Sequence, residues 1–265
     1  MGHLKDEVTI SDMKLNEPQT FNIEKDYLKY IANAEALKPK GKDLVSVVSL
    51  MKQLTELTDK ECAINMFYSI NNSSRKKERF PSYIMAIPSI GYYDGTNEPA
   101  LTGNECPNST ELPDRPYVLP LMIPLVNLHT HPENTSVPSD TDLDKIAAKS
   151  FHNYKSIHNQ EYLMKGSPIE IIVSTSQYPK KENEIMAYRF IGDPVEQILD
   201  NSSELSKIKR SYHFCNTFDE RLELIKNSSI FKIGQFKYKD AIEIRKELPK
   251  LIEQFAPFKI TIEKK

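Results

Sequence analysis

Apolar residues in this chain change their rhythm several times, and each change marks an element. Leu44, Val47, Val48, Met51 and Leu54 recur every three or four residues, which is one helix face, and Asp43 stands where an N-cap belongs. Leu28, Ile31 and Ala32 give a shorter helix within residues 24–37, closed by the run KPKGK. From residue 60 the helical spacing gives way to a dense apolar and aromatic run, KECAINMFYSI, which predicts a buried strand over 60–70. A second strand is expected within 81–91. A third is expected over 117–131, YVLPLMIPLVNLHTH, where two prolines should push it to a sheet edge or into a bulge. Leu143, Ile146, Ala147 and Phe151 return to helical spacing. SPIEIIVSTS (167–176) and EIMAYRFIG (184–192) are two further strands. DPVEQILDNSSELSKIKR has a helical pattern. Residues 229–265 read as strand, helix and strand, with Ala241, Ile244, Leu248, Leu251 and Phe255 on the helix face and Pro249 as a kink. Helices and strands mixed along one chain in this way predict an α/β fold.

Two breaks divide the chain. KPKGK and Gly192-Asp193-Pro194 separate an N-terminal arm with a short helix (1–40), a central region (41–192) and a small α/β accessory region (193–265). The irregular segment 92–116, with four prolines and two glycines, is long for a plain connection and suits a functional loop.

Composition narrows the function classes. Hydrophobic residues make up 39% of the 265 and charged residues 27%, enough for a core. The net charge is -2, from 35 basic and 37 acidic residues, so no basic excess exists to neutralise nucleic-acid phosphates or an acidic membrane. Cys62, Cys106 and Cys215 have no C-x-x-C spacing and do not form a disulfide framework. The N-terminus has no apolar signal core. The most apolar run, 117–128, is too short to span a bilayer and holds both prolines. A cytoplasmic protein is expected.

The chemistry concentrates in LVNLHTHPENTSVPSDTDLD, residues 125–144. Taken singly, its parts are ordinary: two histidines end a strand, Pro132 stops it, and Ser139 caps a helix. Taken together they converge. Residues i and i+2 of a strand share a face, so His129 and His131 point to one spot. A carboxylate in the first turn of the next helix, Asp142, can reach that spot. Two imidazoles and one carboxylate suit Zn2+ and leave a fourth position open. Pro132 and Pro138 stiffen the connection, and the Ser139 hydroxyl can face the open position while its backbone starts the helix.

The spacing H-x-H-x7-S-x2-D, with Pro directly after the second His, resembles the motif of the JAMM (MPN+) zinc metallopeptidase family, and the order of elements over about 41–192 is similar as well. The resemblance implies an MPN-like (cytidine-deaminase-like) mixed β-sheet flanked by helices. It implies His129, His131 and Asp142 as ligands of one Zn2+, an upstream Glu as general acid/base and Ser139 as an oxyanion donor. It implies a hydrolase of peptide or isopeptide bonds, acting on proteins, peptides or ubiquitin-like conjugates. Glu61 follows a helix and opens a strand, as the family's Glu does. The glycine that usually follows is absent here, where Glu61 leads into Cys62, Ala63, Ile64 and Asn65. Glu78, Glu98, Glu105 and Glu111 are competitors, all in polar loops. The alternative use of such a domain is a metal-binding scaffold or a toxin-associated interaction module without turnover. Amidohydrolase barrels and phosphoesterases also carry H-x-H on a strand, but a barrel of eight βα units needs a longer chain and more ligands.

Overall fold

A mixed sheet of seven strands forms the centre of the molecule. The structure is a computed structural model that describes residues 19–23, 44–58, 61–69, 83–85, 89–90, 92–93, 99–100, 122–132, 135–155, 161–175, 183–193, 197 and 202–264. The predicted helix within 24–37, the Asp43 cap, Cys106 and most of the 92–116 segment lie outside those residues.

The strands are β1 (Gln19–Ile23), β2 (Cys62–Ser69), β3 (Tyr83–Met85), β4 (Ser89–Ile90), β5 (Tyr92–Tyr93), β6 (Pro99–Ala100), β7 (Met122–His131), β8 (Phe151–Lys155), β9 (Glu161–Lys165), β10 (Ile169–Ser174), β11 (Asn183–Phe190), β12 (Phe231–Tyr238) and β13 (Phe258–Lys264). The helices are α1 (Leu44–Thr58), α2 (Asp140–Lys149), α3 (Glu204–Tyr212), α4 (Phe218–Lys226) and α5 (Ala241–Glu253). The central sheet runs β12-β11-β10-β7-β2-β3, with β4 also on β2. Among the described residues, β10 and β7 are the one parallel pair within it. A second, four-stranded sheet runs β1-β13-β9-β8.

Strand β7 is interior, between β10 and β2, rather than at an edge. Its proline is accommodated by the other expected device. The register on β2 shifts between Met66, opposite Val126, and Phe67, opposite Pro124, so that one residue of β7 is left over. A bulge takes the place of the ladder bond that a proline cannot donate. Strand β10 is buried along its whole length, as expected for a central strand covered on both faces.

The register sorts the two faces. Thr130 points to α1, where its hydroxyl bonds that of Thr55 at 2.5 Å. Val48, Met51 and Thr55 form the buried stripe of α1. Helix α5 lies on the same face through Gly234 of β12, where any Cβ would fall 2.6 Å from Leu251 Cδ1. His129 and His131, one residue either side of Thr130, belong to the opposite face. There Ile172, Met186, Tyr188 and Phe190 pack against Leu143 and Ile146 of α2, Ile208 and Tyr212 of α3, and Leu222 and Ile225 of α4. Each such side chain contributes about 1.5–3 kcal/mol on burial, so this cluster fixes α2, and with it Asp142, over the sheet.

Two sequence expectations change, for Phe151 and for Ala241. Phe151 does not extend α2. The helix stops at Lys149, Ser150 turns back through its hydroxyl to the Ile146 carbonyl at 2.7 Å, and Phe151 opens β8. The helical pattern over 193–210 holds where it is described: Gln197 is helical, its amide donating to the Asp193 carbonyl at 3.0 Å, and Glu204 opens α3 behind the Ser203 cap. Ala241 is exposed while Ile244, Leu248, Leu251, Ile252 and Phe255 are buried. Residues 193–265, set apart in the sequence as an accessory region, give β12 to the central sheet and β13 to the second one. Residues 19–23 of the N-terminal arm pair with β13. Among the described residues no helix is long and apolar enough to cross a membrane.

Candidate metal centre

Three elements meet at the C-terminal end of β7. The strand's alternation places His129 and His131 on one face, and their Nε2 atoms lie 3.1 Å apart. Asp142 enters from the first turn of α2, with Oδ1 3.6 Å from His129 Nε2 and Oδ2 3.6 Å from His131 Nε2. All three residues are buried. One donor atom from each lies within 4.8 Å of the others, the geometry of a group that could hold a metal ion. Ligands about 2.0–2.1 Å from a tetrahedral ion sit roughly 3.3 Å from one another, so the residues present fit a small dication with little adjustment.

Side-chain orientation is fixed by neighbours. His131 Nδ1 lies 3.2 Å from the Thr135 carbonyl oxygen. A carbonyl only accepts, so that contact calls for a proton on Nδ1, and a neutral ring held this way has its lone pair at Nε2, the atom on the side of Asp142. The His131 carbonyl in turn accepts from the Thr175 amide and hydroxyl, both at 3.0 Å, which ties the ends of β7 and β10 together. Ser136 donates to Glu184 Oε2 at 2.6 Å and holds the loop to β11.

Ser139 is the N-cap of α2. Its Oγ accepts from the Asp142 amide at 3.2 Å and donates to Asp142 Oδ2 at 2.7 Å, while its own amide donates to the same Oδ2 at 2.8 Å. The S-x-x-D box that starts the helix is also what aims the Asp142 carboxylate.

Glu61 stands just ahead of β2. Ala63 pairs with His129 in the register, so Glu61, two residues earlier, falls on the same face beside His131. Its Oε1 lies 3.8 Å from His131 Nε2, and it is outside the three-residue metal group. Glu78, Glu98, Glu105 and Glu111 lie outside the described residues.

The charges are arranged for a cation. Burial works against protonation of His129, yet Asp142 beside it, with Glu61 and Glu170 farther off, lifts its pKa above the usual imidazole value. Burial would raise the Asp142 carboxyl, but the two histidines outweigh it and hold it well below the usual carboxylate range.

Some of the residues shaping the site carry no motif. Asn127, two residues before His129, is buried and donates to the buried Glu170 at 2.6 Å, and Glu170 pairs in register with Tyr188. Asn127 Oδ1 and the Tyr188 hydroxyl are buried without a hydrogen-bond partner among the described residues. Burial first, then the charges of Asp142 and Glu170, push the Tyr188 hydroxyl well above its ordinary range. The signal for this polar row was present in the sequence, since a glutamate inside IEIIVS is out of place in an all-buried strand. The Thr135 carbonyl gave no signal.

Compared with models of known families, with curated proteins and with solved structures, the chain matches none of them.

Proposed function

We propose that the protein is a Zn2+-dependent hydrolase of peptide or isopeptide bonds, with an MPN-like fold and a JAMM-type site. The observation that carries the reading is the convergence of His129, His131 and Asp142, with the Glu61 carboxylate 3.8 Å from one of them and not part of the ligand group. A hydrolytic site needs that separation: donors for the metal, and a distinct base. Zn2+ held by the three residues would supply Lewis acidity at the open end of β7.

The remaining work falls to the chain's own groups. Glu61 Oε1 takes a proton from the attacking water and returns it to the leaving nitrogen. Ser139 donates to the developing oxyanion. Asp142 Oδ2 accepts from both the amide and the hydroxyl of Ser139, so when the hydroxyl turns to substrate the amide still holds the carboxylate. Substrates are proteins or peptides, with ubiquitin-like conjugates among the candidates.

The test compares the Zn2+-loaded protein with a chelator-stripped sample against peptide libraries and ubiquitin-like conjugates, reading cleavage sites by mass spectrometry. Cleavage restricted to the loaded form is expected. One bound equivalent of metal with no cleavage anywhere would leave a scaffold instead of an enzyme. On a cleaved substrate, Ser139→Ala is expected to lower the rate by about 10²–10³ with metal still bound, and to cost about 1 kcal/mol of stability through the lost cap. An unchanged rate would reduce Ser139 to its capping role.

A further inference from the structure

We infer that Tyr212 is a positioning residue for the metal centre, acting from the end of α3 on the turn that carries Asp142. The inference rests on the metal-binding reading above and extends it to a part of the chain with no motif.

Two of the three donors stand on β7 and the third on α2, so the centre exists only if the start of α2 is held at a fixed place over the strand. Asp142 follows Ser139, to which it is joined by the reciprocal cap, and Ser139 follows Pro138. The Pro138 carbonyl receives the Tyr212 hydroxyl at 2.6 Å, across 74 residues of sequence. The next residue, His213, meets Asp140 Oδ2 through Nδ1 at 3.0 Å. Consecutive residues of α3 and its C-cap thus hold the residues on either side of Ser139.

The two contacts are unequal. His213 is 67% exposed and Asp140 35%, so water and salt weaken that pair. Tyr212 is fully buried, and a bond shielded from water has no competitor for its acceptor. Its ring has no room to swing. It belongs to the core cluster with Val137 and Leu143, residues of the motif loop and of α2, and the Arg221 guanidinium stands 5.0 Å from its centroid. A ligand carboxylate must be placed to within about 0.5 Å to serve a metal well, and that precision comes from supporting groups with locked rotamers. Tyr212 has the burial, the bond and the packing to supply it.

Tyr212→Phe keeps the ring and removes only the hydroxyl. With purified full-length protein, the Kd for Zn2+ should rise about 10–100-fold, as it does when a partner that orients a ligand is removed. The visible spectrum of the Co2+-substituted protein, which reports ligand geometry, should change. Ile252→Val thins the core beneath α5, outside the cluster that holds α2. It should lower the unfolding midpoint and leave the Zn2+ Kd and the Co2+ spectrum as in the wild type. A Tyr212→Phe protein with wild-type Kd and spectrum overturns the inference while the metal reading stands. A wild-type protein that takes up neither ion overturns both. Should Tyr212→Phe fail to fold, amide exchange on the wild type decides. Zn2+ should slow exchange at residues 139–143 and 211–215 together, and protection confined to the first stretch counts against the clamp.

Discussion

His131→Ala should bind Zn2+ roughly 10²–10³ more weakly and lose it on dialysis, whereas the wild-type protein should keep one equivalent per chain. His131 offers a lone pair at Nε2 because its Nδ1 is committed to the Thr135 carbonyl. Its loss leaves one imidazole and one carboxylate, which cannot close a tetrahedral site. Apparent binding energies for four-ligand protein zinc sites run at about 10–16 kcal/mol. One ligand in four is then worth about 2.5–4 kcal/mol, or roughly 10²–10³ in Kd. The measurement is metal analysis after dialysis, followed by a competition titration against a chromophoric chelator. Folding should survive, since His129 and Asp142 remain beside each other and the core cluster of α2, α3 and α4 is untouched. A wild-type protein that cannot be loaded would remove the basis of the enzyme reading. A His131→Ala protein with unchanged affinity would move the site elsewhere.

The convergence of His129, His131 and Asp142 was legible in the sequence because each of its relations is local. His129 and His131 share a face by the period of a strand, and Asp142 faces back because Ser139 caps its helix. Glu61 needed one non-local fact, that β2 and β7 are neighbours, which no local pattern records; the register between Ala63 and His129 supplies it. Other features had no such carrier. Strands β8 and β9 were missed because FHNYK and EYLMK mix polar and apolar residues without clean alternation. Phe151 also continued the helical spacing of Leu143 and Ile146 by chance. Helix α4 was missed although Thr217 and Glu220 form a capping box, since its apolar face is only Leu222 and Ile225 with Leu224 half-buried beside them. The strands of residues 231–264 were foreseen, but their partners were not. Pairing to β11 and to β1 depends on which edges are left open once the rest of the sheet has formed, and no local pattern records that. Tyr212 is the extreme case: an ordinary buried tyrosine by sequence, whose hydroxyl reaches the motif from 74 residues away.

Glu61→Gln should keep its metal and lose activity. Gln has nearly the size of Glu and can still accept and donate hydrogen bonds, but it cannot take a proton from water. A residue that serves as general acid/base contributes about 10²–10⁴ in rate, so the variant should retain one equivalent of Zn2+ and cleave roughly that much more slowly. The retained metal follows from the geometry, since the three donors are His129, His131 and Asp142 and Glu61 is not among them. Two other roles for Glu61 give different results. If it were a solvated residue at a strand start, the substitution would change almost nothing. Its position argues against that: the side chain is 17% exposed and 3.8 Å from a buried imidazole. If it were a ligand, the variant would lose metal along with activity, and the two would fall together in the same titration. Measuring bound metal and turnover on the same samples separates all three. Metal retained with full activity would remove Glu61 from the reaction, and loss of both would make it a fourth ligand. Only metal retained with a rate lower by two to four orders of magnitude gives it the proton-transfer role.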